Sequence, residues 1–272
     1  MSQTISVVSG KGGVGKSTLT ANLGKALVNS GCSVVIIDTD IGLRSQDFLL
    51  SMENQVVYDL IDITSGNCEL SQALLPVSAV PGLSLIPAAQ FSRVKSLEPK
   101  KLRKMISSLK EQFDFIFIDC PAGIERGFRN VLASGSDQFI LITTPDDLCI
   151  RDAERALQIM EAKKVVRPRL IVNRLNNELI QNGEMFSAET VASVLDLPLL
   201  GEIPDDPAVY RAMLRHKLFV DYHCEARDAV CRIASRLRDE DVPFPRYGTR
   251  KIPFWTHLFR SGLKEVLPLD NH

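Results

Sequence analysis

Gly10-Lys11-Gly12-Gly13-Val14-Gly15-Lys16-Ser17 follows an apolar run, Thr4–Ser9, and opens a helix-compatible stretch from Lys16 to Ser30 that Gly31 stops. The octapeptide satisfies G-x-x-x-x-G-K-[ST] between a strand and a helix, the context in which that pattern makes a phosphate cradle. Glycines let successive backbone N–H groups turn inward around phosphate oxygens, and the helix that follows adds its positive dipole end. Lys16 supplies a point charge to the β- and γ-phosphates, and the Ser17 hydroxyl is a magnesium ligand.

Outward from the loop, short β-rich runs alternate with helical stretches. Strands are expected at Thr4–Ser9, Ser33–Asp38, Leu83–Pro87, Phe115–Asp119, Gln138–Thr143, Arg169–Asn173 and Leu199–Ile203. Their near-continuous apolar character predicts strands covered on both faces. Helices are expected near Lys16–Ser30, Lys100–Gln112, Arg151–Lys163, Ala188–Leu195 and Ala226–Arg238. The alternation predicts an α/β fold, a mostly parallel sheet with helices on both faces. Phe115-Ile116-Phe117-Ile118-Asp119 reads as a buried strand ending in a carboxylate, and a strand-tip Asp beside a phosphate loop holds the water shell of Mg²⁺.

The chain of 272 residues is 24% charged and 45% hydrophobic, with a formal net charge of −1, which fits one ordinary α/β domain and argues against a mainly electrostatic nucleic-acid binder. Met1 to Ser9 lacks a basic leader, and no apolar run approaches the ~20 residues of a membrane span, so a cytoplasmic protein is expected. The six cysteines show no C-x-x-C pair, and Cys224 and Cys231, seven apart, are expected as small buried hydrophobes.

Beyond Arg238 the character changes. Asp239-Glu240-Asp241-Val242-Pro243-Phe244-Pro245 opens a linker, residues 239–251, because two prolines and a charge cluster do not continue a helix. From 252 to 268 the apolar residues Phe254, Trp255, Leu258, Phe259, Leu263, Val266 and Leu267 recur at helical spacing, with Arg260 and Lys264 on the other face. A basic amphipathic helix with an aromatic end is the signature of an in-plane anchor on an anionic membrane. Packing on the protein's own core is the alternative for such a stripe.

Lys11 makes the loop Gly-Lys-Gly-Gly-Val-Gly-Lys-Ser-Thr, running to Thr18, which resembles the deviant Walker A motif of the ParA/MinD family of ATPases. Asp38-Thr39-Asp40-Ile41-Gly42-Leu43-Arg44, Val56-Val57-Tyr58-Asp59-Leu60, Pro121-Ala122-Gly123-Ile124-Glu125 and Gly201-Glu202-Ile203-Pro204-Asp205-Asp206 are similar to strings of its cell-division branch. The resemblance covers residues 1–238 and, in character, the tail. It implies an ATP-sandwiched homodimer in which Lys11 reaches the partner's phosphates. It further implies that Asp40 positions the attacking water, and that Asp38 and Asp119 are metal-side carboxylates, with solvation of a turn at the strand end as the alternative for Asp38 and Asp40. Asn173, Arg174, Pro204 and Asp205 become adenine-side positions, although loop capping accounts for Asn173 and Arg174 equally well. Arg151, Asp152 and Glu154 become a partner-facing surface, with a solvated helix face as the alternative. Ser45 departs from the family pattern, which has Asn there.

The activity so implied is Mg²⁺-dependent ATP hydrolysis on the inner face of the cell membrane. The partners are a MinC-like division inhibitor and a MinE-like stimulator of hydrolysis. A flagellar-placement ATPase of the same family shares every motif. A ParA-like DNA-partitioning protein is opposed by the lipid-type tail. An iron–sulfur carrier is opposed by the lack of a thiol at Arg126-Gly127 and of a C-terminal C-x-x-C.

Overall fold

A computed structural model describes residues 2–90 and 97–245. The expected tail helix, 252–268, lies outside these residues, as does the second half of the linker.

The strands are β1 (Gln3–Val8), β2 (Val34–Asp38), β3 (Leu75–Pro76), β4 (Leu83–Ile86), β5 (Phe115–Asp119), β6 (Gln138–Thr143), β7 (Arg169–Leu175) and β8 (Leu199–Pro204). They form one sheet in the order β3-β4-β2-β5-β1-β6-β7-β8. Every pairing is parallel except the two-residue β3, which runs antiparallel to β4 at the edge.

Side-chain alternation explains why the strands read as unbroken apolar runs. In β2, Val34 and Ile36 enter one core while Val35 and Ile37 enter the other; in β5, Phe115 and Phe117 oppose Ile116 and Ile118 in the same way. The first core is covered by α1 (Lys16–Asn29) and α11 (Glu225–Leu237), through Leu19, Leu23, Leu27, Val230 and Ile233. The second is covered by α5 (Pro99–Leu109), α6 (Arg126–Leu132), α7 (Asp147–Ala162) and α9 (Ala188–Leu195). The result is a three-layer sandwich with β1 near the sheet centre, so the loop after β1 opens at the carboxyl end of the sheet, where open α/β sheets bind ligands.

Several boundaries differ from the sequence reading. Helix α7 begins at Asp147, a turn before the expected Arg151, because the Asp146 carboxylate caps it by accepting from Cys149 N at 3.0 Å. Helix α5 stops at Leu109 rather than Gln112, and Pro99 takes its first turn. Short elements escaped the periodicity argument: α2 (Ser45–Leu49), α3 (Leu60–Ser65), α4 (Leu70–Ala73), α8 (Asn177–Asn182), α10 (Pro207–Leu214) and a 3₁₀ turn at Phe219–Asp221. Cys224 and Cys231 are free thiols packed against the first core.

The linker starts as an anchored strap. The Arg236 guanidinium donates to Leu200 O on β8 at 2.9 Å, to Val242 O at 3.0 Å and to Pro243 O at 3.0 Å. It also lies 3.8 Å over the Phe244 ring, a cation–π contact. The chain therefore leaves the domain from a fixed point at the sheet edge.

That edge holds a buried carboxylate. Glu202 on β8 is 5% exposed, and its Oε1 meets no hydrogen-bond donor. Burial, and secondarily Glu189, push its pKa up to about 7 against the pull of Arg232 and Arg236. The folded state therefore holds this proton more tightly than the unfolded chain. The resulting penalty is absent below the unfolded pKa and grows as pH rises to about 7. Glu202→Gln should melt with the parent at pH 4.5 but above it at pH 8, by ~1–2 kcal/mol after allowing for water penetration, or about 2–6 °C. Thermal melts across that range check it, and a constant difference between the two proteins would refute it.

Candidate functional site

The loop after β1 closes against two neighbours that dictate its glycines. A side chain at Gly10 would place Cβ 2.1 Å from the Asp152 carbonyl oxygen, so the loop entrance is packed on the backbone of α7. Gly15 has φ 97° and would bring Cβ within 2.5 Å of Asn173 Nδ2; it also caps α1, accepting from Leu19 N at 2.8 Å. The first turn of α1 carries no acidic residue, which leaves the helix dipole open to an anion.

Beneath the loop lie the charges. Asp38 and Asp119 are register partners at the ends of β2 and β5, both with no exposed surface. The Lys16 ammonium, 6% exposed, sits 2.7 Å from Asp119 Oδ1 and 3.4 Å from Ser17 Oγ. Burial alone would lower its pKa, but the charge and hydrogen bond of Asp119 leave it raised, so the lysine stays cationic. Asp119 Oδ2 accepts from Gln46 Nε2 at 2.7 Å. Asp38 accepts from Asp40 N at 2.9 Å and Gln46 N at 3.0 Å. Burial and the neighbouring Asp119 charge raise the Asp38 pKa to about 7. Two carboxylates side by side with one ammonium leave a net negative well, the donor set of a hard divalent cation. Mg²⁺ typically takes one or two carboxylates and keeps several waters, and Ser17 supplies a neutral oxygen beside them. The residues present fit it.

Above this well a cavity of about 350 Å³ is lined by Lys11, Gly12, Gly13, Gly15, Lys16, Ser17, Thr18 and Asp40, with Asn173, Arg174, Pro204 and Asp205 at its far side. Ile203, Val209, Met213 and Phe219 add an apolar wall there, a surface suited to a flat base. Of the expected residues, Gly10 packs on α7 and Val14 is 3% exposed, while Asp38 and Asp119 form the floor. Asn173 makes the loop-capping contact: Nδ2 donates to Val14 O at 2.8 Å and clamps the loop from β7. Arg151, Asp152 and Glu154 lie on α7 behind the loop, with Arg151 exposed and Asp152 paired to Arg155 at 3.3 Å. Lys11 stands near the start of the same helix. Burial opposes ionisation of Asp146 there, but bonds from Thr144 and Cys149 and the Lys11 charge hold it below its ordinary range.

One residue was not foreseen. Gln46, wholly buried on α2, ties Asp119, Asp38 and the Ser17 carbonyl together. A glutamine in a five-residue helix leaves no periodic trace; the faint signal was a polar pair, Ser45-Gln46, following the Asp38–Arg44 string.

Two substitutions follow from this packing. Gly10→Ala should abolish nucleotide binding or prevent folding, since the clash is with rigid helix backbone. Lys16→Ala should leave Asp119 without its counter-charge and remove ATPase activity, at a cost of ~3–5 kcal/mol to the broken buried pair. Nucleotide titration and melting curves check both, and wild-type ATPase activity in Lys16→Ala would refute the loop assignment.

Comparison with known proteins shows the family. A family model described as "ParA: NUBPL iron-transfer P-loop NTPase" matches residues 1–238. The chain is 41% identical over 246 residues to the septum site-determining protein MinD of Bacillus subtilis, covering 89% of this chain and 91% of that one. It is 40% identical over 258 residues to MinD of Helicobacter pylori, covering 92% and 96%. A MinC:MinD cell division complex from Aquifex aeolicus superposes with a TM-score of 0.84 at 35% identity, covering 91% of this chain and all of that one. MinD from Pyrococcus horikoshii, complexed with Mg-ADP, does so with a TM-score of 0.76 at 30% identity, covering 87% and 96%. With the loop, the paired carboxylates and these relatives in agreement, the chain belongs to the MinD branch of the ParA/MinD family of P-loop ATPases.

Proposed function

We propose that this protein is a MinD-like switch that dimerises on ATP and binds the inner face of the cell membrane. There it recruits a MinC-like division inhibitor to help place the division site, and hydrolysis releases it. The observation that carries the reading is the stacking of three layers: the buried Lys16–Asp119 pair with Asp38, the glycine loop above it, and α7 in backbone contact with that loop at Gly10. A nucleotide-sensitive loop thus bears directly on the helix that presents Arg151, Asp152 and Glu154, where a protein partner reads the bound state.

In this reading the loop N–H groups and the α1 terminus hold the phosphates. Lys16 turns part of its charge from Asp119 to the phosphoryl oxygens, while Asn173 keeps the loop closed. Pro204 and Asp205 border the base. Asp40, half-buried at the cavity rim, orients the attacking water, and Lys11 reaches toward the phosphates of a second copy. Ser17, Asp38 and Asp119 would hold Mg²⁺, which when bound neutralises charge on the phosphate oxygens. Phosphoryl transfer depends mainly on positioning and charge stabilisation. A lone Asp40 therefore makes slow chemistry, which a MinE-like protein can accelerate.

Membrane attachment rests on the sequence of residues 252–268 and on the strap that fixes where the chain departs. Between Thr249 and Glu265 the basic residues Arg250, Lys251, Arg260 and Lys264 face one acidic residue, Glu265. Such a segment binds weakly alone, and pairing two in a dimer adds ~10²-fold or more in avidity. No described helix is long and apolar enough to cross a membrane.

Asp40→Ala should bind ATP, lose about 10²-fold in turnover, and accumulate as a dimer that sediments with anionic vesicles. Lys11→Ala should bind nucleotide without forming that dimer. Trp255 is the sole tryptophan, so its emission should shift to the blue with anionic vesicles and ATP, and much less with ADP. Leu258→Glu should abolish the shift and spare ATPase activity. A blue-shifted Trp255 without lipid, together with unfolding of Leu258→Glu, would instead place the stripe in the protein core and end the membrane reading.

A further inference from the structure

The side chain of Gln46 is fully buried between the two strand-end carboxylates and the phosphate loop. Both protons of its amide nitrogen are committed, to Asp119 Oδ2 at 2.7 Å and to the Ser17 carbonyl at 3.0 Å. Its backbone N–H serves Asp38 Oδ2 at 3.0 Å. Its carbonyl oxygen Oε1, by contrast, is buried and accepts nothing from the protein. A buried acceptor left unmet carries the full cost of its lost hydration, so its retention at a residue joining Ser17, Asp38 and Asp119 calls for a donor. No described side chain supplies one. The waters around a hard divalent cation are such donors, since Mg²⁺ dehydrates reluctantly and keeps several of them. We propose that Gln46 is a positioning residue for the magnesium site: its Nε2 fixes the orientation of Asp119, and its Oε1 accepts a hydrogen bond from a metal-bound water. The inference rests on the reading of Ser17, Asp38 and Asp119 as the metal side. It also gives α2 a role. The helix that follows Asp40 registers the metal through Gln46, and two residues later Phe48 meets the His216 ring beyond α10, 5.0 Å between centroids.

The test measures the affinity of full-length protein for a fluorescent methylanthraniloyl-ADP in excess Mg²⁺ and in EDTA, and takes the ratio. ADP keeps hydrolysis out of the measurement, and a ratio within one variant cancels general loosening of the fold. Gln46→Met preserves length and volume and removes both polar atoms. It should cut the Mg²⁺-dependent ratio by about tenfold, in the range of outer-shell substitutions at metal sites, with affinity in EDTA within about threefold of wild type. An unchanged ratio overturns the proposal. Gln46→Glu keeps an acceptor for the metal-bound water but loses the donor to Asp119, so its ratio should fall between those of Gln46→Met and wild type, whereas a purely structural glutamine predicts that a new buried charge is worse than methionine. A Gln46→Glu ratio below that of Gln46→Met overturns the proposal; where Gln46→Met fails to fold, a Gln46→Glu ratio more than about tenfold below wild type does. Ser17→Ala separates the two levels. If it collapses the ratio while Gln46→Met does not, the Gln46 inference alone fails; if neither changes the ratio, the metal-side reading and the inference fall together.

Discussion

Two carboxylates that share no surface with water, Asp38 and Asp119, stand side by side on adjacent strands, and the rest of the site is arranged to make that tolerable. Like charges so placed repel, and each loses hydration worth several kcal/mol. The protein answers with one ammonium, Lys16, and with donors from Asp40, Gln46 and Gln46's own backbone. Compensation is incomplete, which is why the Asp38 pKa rises to about 7. A core designed for stability alone would place apolar side chains here. A residual negative well under a phosphate-binding loop has a use only where positive charge arrives with the ligand.

The same constraint organises what surrounds it. Lys16 can reach Asp119 only if the loop passes close over β5, and that closeness is set by Gly10 against the α7 carbonyl and Gly15 against Asn173. The loop is therefore gripped between α7 and β7. A shift of a few tenths of an ångström in α7 cannot be absorbed by side-chain flexing, because its contact at Gly10 is backbone. Packed interfaces of this kind change between discrete arrangements more readily than they deform smoothly.

How much of this the chain discloses before folding depends on the length of the signal. Most of the seven longer strands were legible because both alternating sets of side chains are apolar, as in Val34-Val35-Ile36-Ile37, and the glycine loop names its own chemistry. The strand β3 was not, being two residues that pair only because Val77 and Val80 fold the chain back on β4. Helix α3 carried a readable capping box, Asp59 with Asp62, and a Gly66 stop, but six residues are too few to show a period. Asp119 could be singled out as a strand-end carboxylate near a phosphate loop, and Asp38 and Asp40 through the family resemblance of the Asp38–Arg44 string. Gln46 could not, since its importance lies in what it touches across 73 residues of sequence, at Asp119. Long-range hydrogen bonding leaves no local pattern.

The strap at Arg236 joins the two ends of the argument. A tail that left the domain as a free coil would sample a wide volume, and two such tails in a dimer would seldom meet one surface together. Avidity depends on effective concentration, which falls steeply once a linker exceeds the span it must cover. By holding Val242 and Pro243 to the edge of β8, Arg236 fixes where the described chain leaves the sheet, and in the proposed dimer both copies would share that point of departure. The strap and the nucleotide site stand in a fixed relation through α11 and the sheet. In the proposed switch a weak membrane segment would be a conditional one, effective when the nucleotide brings two domains together and ineffective when it does not.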